Sequence, residues 1–260
     1  MLLRHSDLQL FDGRVHIAEC GSGEPVVLLH QTPRSWDEYR DVLPLLGERF
    51  RALAVDQLGF GGSDDPPWEP SIERYADVVA GALGAAGLER THVVGHHTGA
   101  VVALELAAAR PERVERLVLS SCPYADASFR RLRADGSPVD NDPTPEGLRA
   151  GRASFYPDDR PDLLDRFVAD ALRAGPNTPA GHRAVARYEM ERRVGLVRAP
   201  TLLIGAPGDP FAHPQLARMA AALPQARVQE LDGGMVPLPD QLPHEFADAV
   251  ARFLLEGEGR

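Results

Sequence analysis

The length, composition and charge of the chain limit what kind of protein it can be. Its 260 residues suffice for one α/β domain with an insertion, and a hydrophobic content of 43% supports a sizeable core. The formal net charge of −10 argues against nucleic acid and anionic membranes as partners. Two cysteines make no disulfide framework, so we expect a reducing, cytoplasmic setting. The N-terminus is too short and polar for a signal peptide, and no apolar run approaches the roughly 18–20 residues that span a bilayer.

Short apolar runs alternate along the chain with longer amphipathic stretches, and the two patterns predict strands and helices respectively. The predicted strands are residues 8–11, 14–20, 25–30, 52–56, 91–94, 114–121, 201–204 and 228–231. The predicted helices are residues 36–46, 71–88, 101–110, 213–223 and 245–255. Because strands alternate with helices, we expect a mostly parallel sheet that is covered on both faces.

The stretch at residues 91–110 is the centre of this pattern. A strand rich in β-branched residues runs into residues 95–99, G-H-H-T-G, and an Ala/Leu-rich helix begins directly after them. The two glycines permit a close approach of strand and helix that a Cβ would block. This arrangement is typical of a nucleophile elbow, G-x-S-x-G, and His97 stands at its serine position.

The composition changes between residues 123 and 197. Proline, aspartate and arginine become frequent there, and apolar residues such as Leu163 and Phe167 recur at helical spacing. We therefore predict a helical cap over residues 123–197, inserted in a core formed by residues 1–122 and 198–260. In such sheets ligands bind outside the carboxyl ends of the strands, so the pocket is expected between the core and the cap.

With these motifs in order, the chain resembles the α/β-hydrolase superfamily. Residues 30–33, H-Q-T-P, resemble its His-Gly-x-Pro oxyanion loop, and residues 56–64 resemble its Asp-x-x-Gly-x-Gly-x-Ser-Asp turn. Residues 95–99 resemble the elbow, residues 208–210 the acid loop, and residues 233–235 the Gly-Gly-His loop that carries the base. Each motif alone is weak, but five in sequence are specific for the fold.

The resemblance places His97, Asp209 and Met235 at the nucleophile, acid and base positions of the family's triad. Two of the three residues have therefore changed. Without a serine there is no ordinary acyl-enzyme, and without a histidine in the last loop there is no ordinary base.

A direct pair of His97 and Asp209 would account for both changes. A histidine reaches further from its Cα than a serine does, so its ring can enter the space of the missing histidine. One ring nitrogen would then donate to Asp209, the other would face the substrate as a general base, and Met235 would fill the remaining volume. The competing interpretation is that His97 turns to a backbone carbonyl and Asp209 merely caps a helix.

Further residues are predicted to surround this pair. The backbone N–H groups of Thr32 and Thr98 could hold a developing oxyanion or enolate. Gln31 replaces the glycine of the oxyanion loop, which alters that loop. We expect Gln31, Trp36, Met235 and Tyr188 to contact the substrate, with ordinary core packing as the alternative for the aromatic residues.

Other polar residues near the motifs are expected to have structural roles. His30 should bond to nearby backbone at a strand end, and His96 should pack beneath the elbow. Asp232 and Asp240 are expected to be solvated loop residues.

The altered triad predicts a cofactor-independent enzyme that acts by general acid–base chemistry on a small, partly apolar organic molecule. The expected reaction is of lyase, isomerase, cyclase or decarboxylase type, for example a tailoring step in specialised metabolism. Two alternatives stay open: a hydrolase in which His97 activates water, and a non-catalytic binding protein. No H-E-x-x-H or G-x-G-x-x-G pattern is present, so no metal and no cofactor are expected. The oligomeric state leaves no signal in the sequence.

Overall fold

The computed structural model describes residues 2–133, 142–223 and 225–256, and eight strands lie within these ranges. The strands are β1 (Arg4–Leu10), β2 (Gly13–Gly21), β3 (Pro25–Leu29), β4 (Arg51–Val55), β5 (Thr91–His96), β6 (Val114–Ser120), β7 (Thr201–Gly205) and β8 (Ala226–Glu230). They form one sheet in the order β1-β2-β4-β3-β5-β6-β7-β8. β2 is antiparallel to both β1 and β4, and all pairs from β4 to β8 are parallel. The predicted α/β fold with a mostly parallel sheet is confirmed.

Helices cover this sheet, and several are joined by short 3₁₀ turns. The α-helices are α1 (Val42–Leu46), α2 (Ile72–Ala85), α3 (Thr98–Ala109), α4 (Ala127–Leu132), α5 (Pro145–Arg152), α6 (Pro161–Ala174), α7 (Asn177–Arg187), α8 (Leu216–Ala222), α9 (Leu238–Gln241) and α10 (Pro243–Leu255). The 3₁₀ turns are Trp36–Tyr39, Pro111–Arg113, Ala153–Phe155, Met190–Arg192, Val194–Leu196 and His213–Gln215. Within the described ranges no helix is long and apolar enough to cross a membrane.

The sheet is buried on both faces, as its continuous apolar strands predict. Strand β3 illustrates this, because its side chains alternate between two hydrophobic clusters. Val27 and Leu29 belong to the cluster that packs against α2 and α3. Val26 and Leu28 belong to the cluster that packs against α1 and α10. The central strands are therefore fixed from both sides, and the loops at their carboxyl ends start from rigid positions.

The helix predicted over residues 36–46 is divided in two. A 3₁₀ turn, Trp36–Tyr39, is followed by the separate helix α1, which begins at Val42. Pro44 explains the break, since proline has no N–H to donate inside a continuous helix but is tolerated in a first turn. Ser35 caps the 3₁₀ turn by accepting a hydrogen bond from the Asp37 N–H.

The chain between β6 and β7 is helical in its described residues and contacts the carboxyl edge of the sheet. A Cβ added to Gly181 of α7 would lie 2.7 Å from the Thr32 hydroxyl oxygen, in the loop after β3. One added to Gly59, in the loop after β4, would lie 2.7 Å from the Asn177 side chain. These contacts agree with a cap over the strand ends. Residues 134–141 of the predicted cap lie outside the described residues, and the division into two domains stays a prediction.

Candidate functional site

The turn between β5 and α3 holds His97 in a strained backbone conformation. Its φ of 47° lies in the left-handed region, which is uncommon for a residue with a side chain. Two close approaches maintain the turn: a Cβ at Gly95 would lie 2.3 Å from the Gly99 carbonyl oxygen, and one at Gly99 would lie 2.0 Å from the Leu29 carbonyl oxygen. The His97 N–H donates to the Ser120 carbonyl over 3.0 Å. Only glycine fits at positions 95 and 99, so the sequence dictates this elbow.

The structure places His97 and Asp209 in direct contact. The distance from Nε2 of His97 to Oδ2 of Asp209 is 2.8 Å. This is a hydrogen-bond length, but the ring N–H is not aligned with that oxygen, and neither atom has another partner among the described residues. The Asp209 side chain is fully buried, whereas the His97 side chain is 13% exposed. The pair is thus a close contact within hydrogen-bond distance.

Asp209 uses its second oxygen to organise its own loop. Oδ1 accepts hydrogen bonds from the N–H groups of Phe211 at 2.9 Å and Ala212 at 3.2 Å. Burial by itself raises the pKa of the Asp209 carboxyl, but attraction to a protonated His97 and these hydrogen bonds outweigh it, and the pKa lies below its ordinary value. One Asp209 oxygen therefore holds the backbone of its own loop, while the other lies against the His97 imidazole.

Met235 packs beside the loop that carries Asp209. A Cβ added to Gly208 would lie 3.1 Å from the Met235 Cγ, and the Met235 N–H donates to Oε1 of Gln241 over 2.7 Å. The loop after β8 thus presents an apolar side chain next to the acid loop. This arrangement agrees with the filling role predicted for the methionine.

His96, the neighbour of His97, is locked in the core. It is 0% exposed, its Nε2 lies 2.8 Å from the Val236 carbonyl, and its Nδ1 lies 3.0 Å from the Ser120 hydroxyl. A carbonyl can only accept, so Nε2 carries the proton and Nδ1 accepts from the serine. Burial, with a smaller contribution from the charge of His97, lowers the pKa of His96 to about 3. The ring is therefore neutral, as a structural role requires.

The loop after β3 is fixed by a different set of buried groups. His30 donates through Nδ1 to the Gln31 carbonyl and accepts the N–H of Gln57 at Nε2, over 2.9 and 3.0 Å. The Gln31 side chain donates to Oε1 of Glu38 over 2.6 Å, and the Gln31 N–H donates to Oε2 over 2.8 Å. Gln31 is thus clamped to Glu38 rather than available to a substrate, which corrects the expectation for its side chain.

Two backbone donors remain near the elbow. Thr98 is the first residue of α3, where an N–H has no partner within the helix. Among the described residues neither the Thr98 N–H nor the Thr32 N–H donates to another group. Both threonines are buried, at 6% and 2% exposure. The two N–H groups follow β5 and β3, which are adjacent strands, so they lie at the same edge of the sheet.

Trp36 and Tyr188 do not join this group. The Trp36 ring contacts His5 at 4.7 Å between centroids and lies under the Arg40 guanidinium, at the β1 side of the sheet. The Tyr188 hydroxyl donates to Oε2 of Glu105 over 2.6 Å. Arg193 also binds Glu105, through two hydrogen bonds of 2.8 Å. Their predicted role in substrate contact therefore gives way to packing for Trp36 and to a buried hydrogen-bond network for Tyr188.

A buried charge cluster beside the oxyanion loop was missed in the sequence. Arg34 is 0% exposed and binds Asp240, Asp170 of α6 at 2.9 Å, and Asp37 at 3.3 Å. The expectation that Asp240 is a solvated loop residue is wrong, since it is 1% exposed and also binds Arg166 at 3.2 Å. No local pattern marks the pairs of Arg34 with Asp170 and Asp240, because these partners are far apart in the sequence.

Ser121 is a second residue that the motifs did not single out. It follows β6 directly, with a φ of 45°, and its buried hydroxyl has no hydrogen-bond partner. His97 and Ser121 are the non-glycine residues with positive φ among those described, and they end adjacent strands. Backbone strain of this kind concentrates at functional sites, which marks this edge of the sheet. No group of three or more potential metal ligands occurs within the described ranges.

Comparisons with known proteins identify the fold family of the chain. Residues 24–238 match the family model described as "alpha/beta hydrolase fold". The chain is 30% identical over 257 residues to 2-hydroxymuconate semialdehyde hydrolase from Pseudomonas sp. strain CF600, covering 95% of this chain and 83% of the relative. It is 28% identical over 215 residues to haloalkane dehalogenase 2 from Mycobacterium tuberculosis, covering 82% and 70%.

Solved structures show the same architecture. A hydrolase from Pseudomonas aeruginosa superposes with a TM-score of 0.82 and 25% identity, covering 96% of this chain and 98% of the other. The enol-lactonase from Burkholderia xenovorans superposes with a TM-score of 0.80 at 21% identity, covering 96% and 100%, which is a likeness of fold alone.

Proposed function

Because the chain belongs to the α/β-hydrolase fold family, we propose that it is a hydrolase in which His97 activates a water molecule directly. The relatives named above are hydrolytic enzymes, which supports hydrolysis over the lyase and isomerase reactions expected from the sequence. The observation that carries the proposal is the 2.8 Å contact of His97 Nε2 with the Asp209 carboxylate. It gives the elbow a base in place of a nucleophile.

The contact determines which nitrogen acts as the base. With the pKa of Asp209 below its ordinary value, the carboxylate is ionised and favours the proton on Nε2 of His97. The lone pair then lies on Nδ1, the ring nitrogen that does not face Asp209. Nδ1 takes a proton from water, and the water oxygen attacks the carbonyl carbon of the substrate.

The remaining groups complete the reaction. The N–H groups of Thr32 and Thr98 stabilise the oxyanion that forms at the carbonyl oxygen. The imidazolium of His97 then returns the proton to the leaving group, so that the water is divided between the two products. The substrate class that fits is a small ester, lactone or activated ketone, and no covalent acyl-enzyme forms.

The test uses a fluorophosphonate probe and rapid-quench mass spectrometry with a panel of small esters, lactones and diketones. We expect turnover without a burst and without a covalent adduct. A matched control is the double variant His97→Ser/Met235→His, which restores the serine and the histidine of the ordinary triad and is expected to react with the probe. Labelling of the wild-type protein, at Ser121 for example, would contradict the mechanism.

A second candidate is proton abstraction without hydrolysis, as in a lyase or isomerase. It is favoured by the absence of a nucleophile from the elbow, since a base and two oxyanion donors suffice to form an enolate. Turnover in H₂¹⁸O and in D₂O separates the two reactions. Hydrolysis places ¹⁸O in the product, whereas proton abstraction places deuterium on carbon without ¹⁸O. Binding of substrate with neither label in the product would instead support a non-catalytic binding protein.

A further inference from the structure

Two histidines face each other on the antiparallel hairpin of β1 and β2, far from the elbow. The strand register pairs His5 with Ala18 and Asp7 with His16, so the two histidines occupy diagonal positions on one face. Nδ1 of His5 lies 3.0 Å from Nε2 of His16. The rings are nearly parallel, with an interplanar angle of 18° and 5.2 Å between centroids. The two ring nitrogens are thus close enough for one metal ion to bind both.

A buried carboxylate orients one of these rings. Nδ1 of His16 lies 2.8 Å from Oδ2 of Asp56, and the Asp56 side chain is fully buried. The carboxylate accepts the Nδ1 proton, so the Nε2 lone pair of His16 points outward, toward His5. A carboxylate behind an imidazole is the arrangement that fixes and strengthens histidine as a metal ligand. Asp7, directly opposite His16 in the register, is paired with Arg14 at 3.2 Å.

We propose that His5 and His16 form a binding site for one divalent transition-metal ion, with Cu²⁺ preferred. With metal–nitrogen bonds of about 2.0–2.1 Å, an N···N distance of 3.0 Å corresponds to an N–metal–N angle of about 95°. This is near the right angle between adjacent ligands of a tetragonal site and narrower than a tetrahedral angle, which favours Cu²⁺ or Ni²⁺ over Zn²⁺. Copper is also the ion that imidazole donors bind most tightly in the first-row series.

The site contains two protein ligands, and water completes the coordination. No third histidine, cysteine or carboxylate joins the pair among the described residues. His5 is exposed and belongs to the edge strand, and its ring must turn away from the His16 hydrogen bond for both lone pairs to face the ion. Metal binding at Nδ1 of His5 moves the shared proton to Nε2 of the same ring. Strand β1 is separated from β5 by β2, β4 and β3, so this site is independent of the reaction proposed above.

The experiment is a calorimetric titration of the untagged full-length protein with CuCl₂, followed by electron paramagnetic resonance of the bound ion. We expect one tight equivalent whose spectrum shows two nitrogen donors. His5→Asn should weaken binding by about tenfold or more, because one of two ligands is lost. The matched control is His244→Asn, which removes an exposed histidine on α10 and should leave the tight equivalent unchanged.

Equal affinity and an identical spectrum in the His5→Asn variant would overturn the proposal, as would loss of the tight equivalent in the His244→Asn variant. A tetrahedral preference, with Zn²⁺ bound more tightly than Cu²⁺, would overturn the geometric argument. Thermal unfolding gives a second readout, since an ion that binds only the folded hairpin must raise Tm, and His5→Asn should abolish that rise.

Discussion

Two regions of the sheet each contain a buried aspartate that faces an imidazole at 2.8 Å, but the two aspartates differ in how their oxygens are hydrogen-bonded. At the β2–β4 side, Asp56 also accepts the N–H groups of Trp36 at 2.6 Å and Gly62 at 2.8 Å. At the β5–β7 side, Oδ2 of Asp209 faces only His97, and the contact lacks good hydrogen-bond alignment. Both oxygens of Asp56 therefore accept hydrogen bonds, whereas Oδ2 of Asp209 accepts no well-aligned hydrogen bond.

The backbone explains why the second pair is the candidate for chemistry. His16 lies on a regular strand, while His97 has a φ of 47° that the packing of the elbow maintains. Backbone strain at His97, together with a partner carboxylate that lacks an aligned hydrogen bond, is expected at a reacting centre. In a purely structural pair the same features would only lower the stability of the fold. The difference between the two pairs lies in their surroundings, since the side chains are of the same types. The following predictions test this contrast in order of decreasing effect.

The largest effect is expected from removing each imidazole. His97→Ala should lower kcat by about 10³-fold, since a positioned general base contributes about 10²–10⁴-fold, while the free energy of unfolding changes little. His16→Ala should leave kcat within about twofold but lower the free energy of unfolding by about 1–3 kcal/mol, because a buried acceptor loses its partner. Steady-state kinetics and urea unfolding measure both. Equal loss of activity in the two variants would contradict the assignment of His97 to catalysis and of His16 to structure.

The next effect concerns the carboxylates. Asp209→Asn keeps an oxygen for the Phe211 and Ala212 N–H groups but loses the charge that orients His97, so kcat should fall by about 10²-fold with a nearly unchanged fold. Asp56→Asn should instead destabilise the protein by about 2–4 kcal/mol, because an amide cannot accept from three donors. An Asp209→Asn variant that unfolds as readily as Asp56→Asn would assign both aspartates to structure.

A smaller effect separates the two adjacent histidines. His96 has a folded pKa of about 3, against about 6.5 in the unfolded chain, because burial disfavours its charged form. Below pH 6.5 the unfolded state therefore binds a proton that the folded state rejects. The stability present above pH 6.5 is lost toward pH 3 at up to about 1.4 kcal/mol per pH unit.

His96→Gln should remove this contribution, so the difference in unfolding free energy between wild type and variant should shrink as the pH falls. Urea unfolding between pH 7 and 4 measures that difference, in which the titration of all other groups cancels. A difference that stays constant with pH would mean that His96 titrates normally in the folded protein.

The smallest effect concerns the contact between Gly181 of α7 and Thr32 in the loop after β3. In Gly181→Ala the new methyl group must displace the Thr32 side chain, 2.7 Å away. Alanine in place of glycine favours the helix by about 1 kcal/mol, which offsets the crowding, so stability should change little. The value of kcat should fall about two- to fivefold as the Thr32 N–H shifts away from the oxyanion. Gly84→Ala in α2, where nothing lies within 4 Å, is the control and should leave kcat unchanged.

Local chemistry in the sequence predicted the scaffold well. The glycines at 95 and 99 predicted a turn that no larger residue could form, and the contacts at both positions show why. Continuous apolar strands predicted a sheet buried on two faces, and β3 has that arrangement. Pro44 could have predicted the division of the 36–46 helix, but the amphipathic pattern ran across it.

Predictions that depended on long-range partners were less successful. Asp240 resembled a loop residue until folding placed it against Arg34, and Gln31 resembled a substrate contact until Glu38 bound it. The facing histidines of the first hairpin are eleven residues apart and match no ligand spacing. Such groups are brought together by strand register and by the packing of α6 on the core, neither of which leaves a local pattern.

By itself the sequence determined the elbow, the order of strands and helices along the chain, and the identity of the residues at the altered triad positions. These features depend on backbone sterics and on hydrophobic periodicity, which act over a few neighbouring residues. The pairing of His97 with Asp209 was predicted from the altered triad, but only the tertiary structure decided which donors satisfy each buried carboxylate. Hydrogen-bond satisfaction in a core is set by donors that arrive from distant segments, and those donors are known only once the sheet has formed.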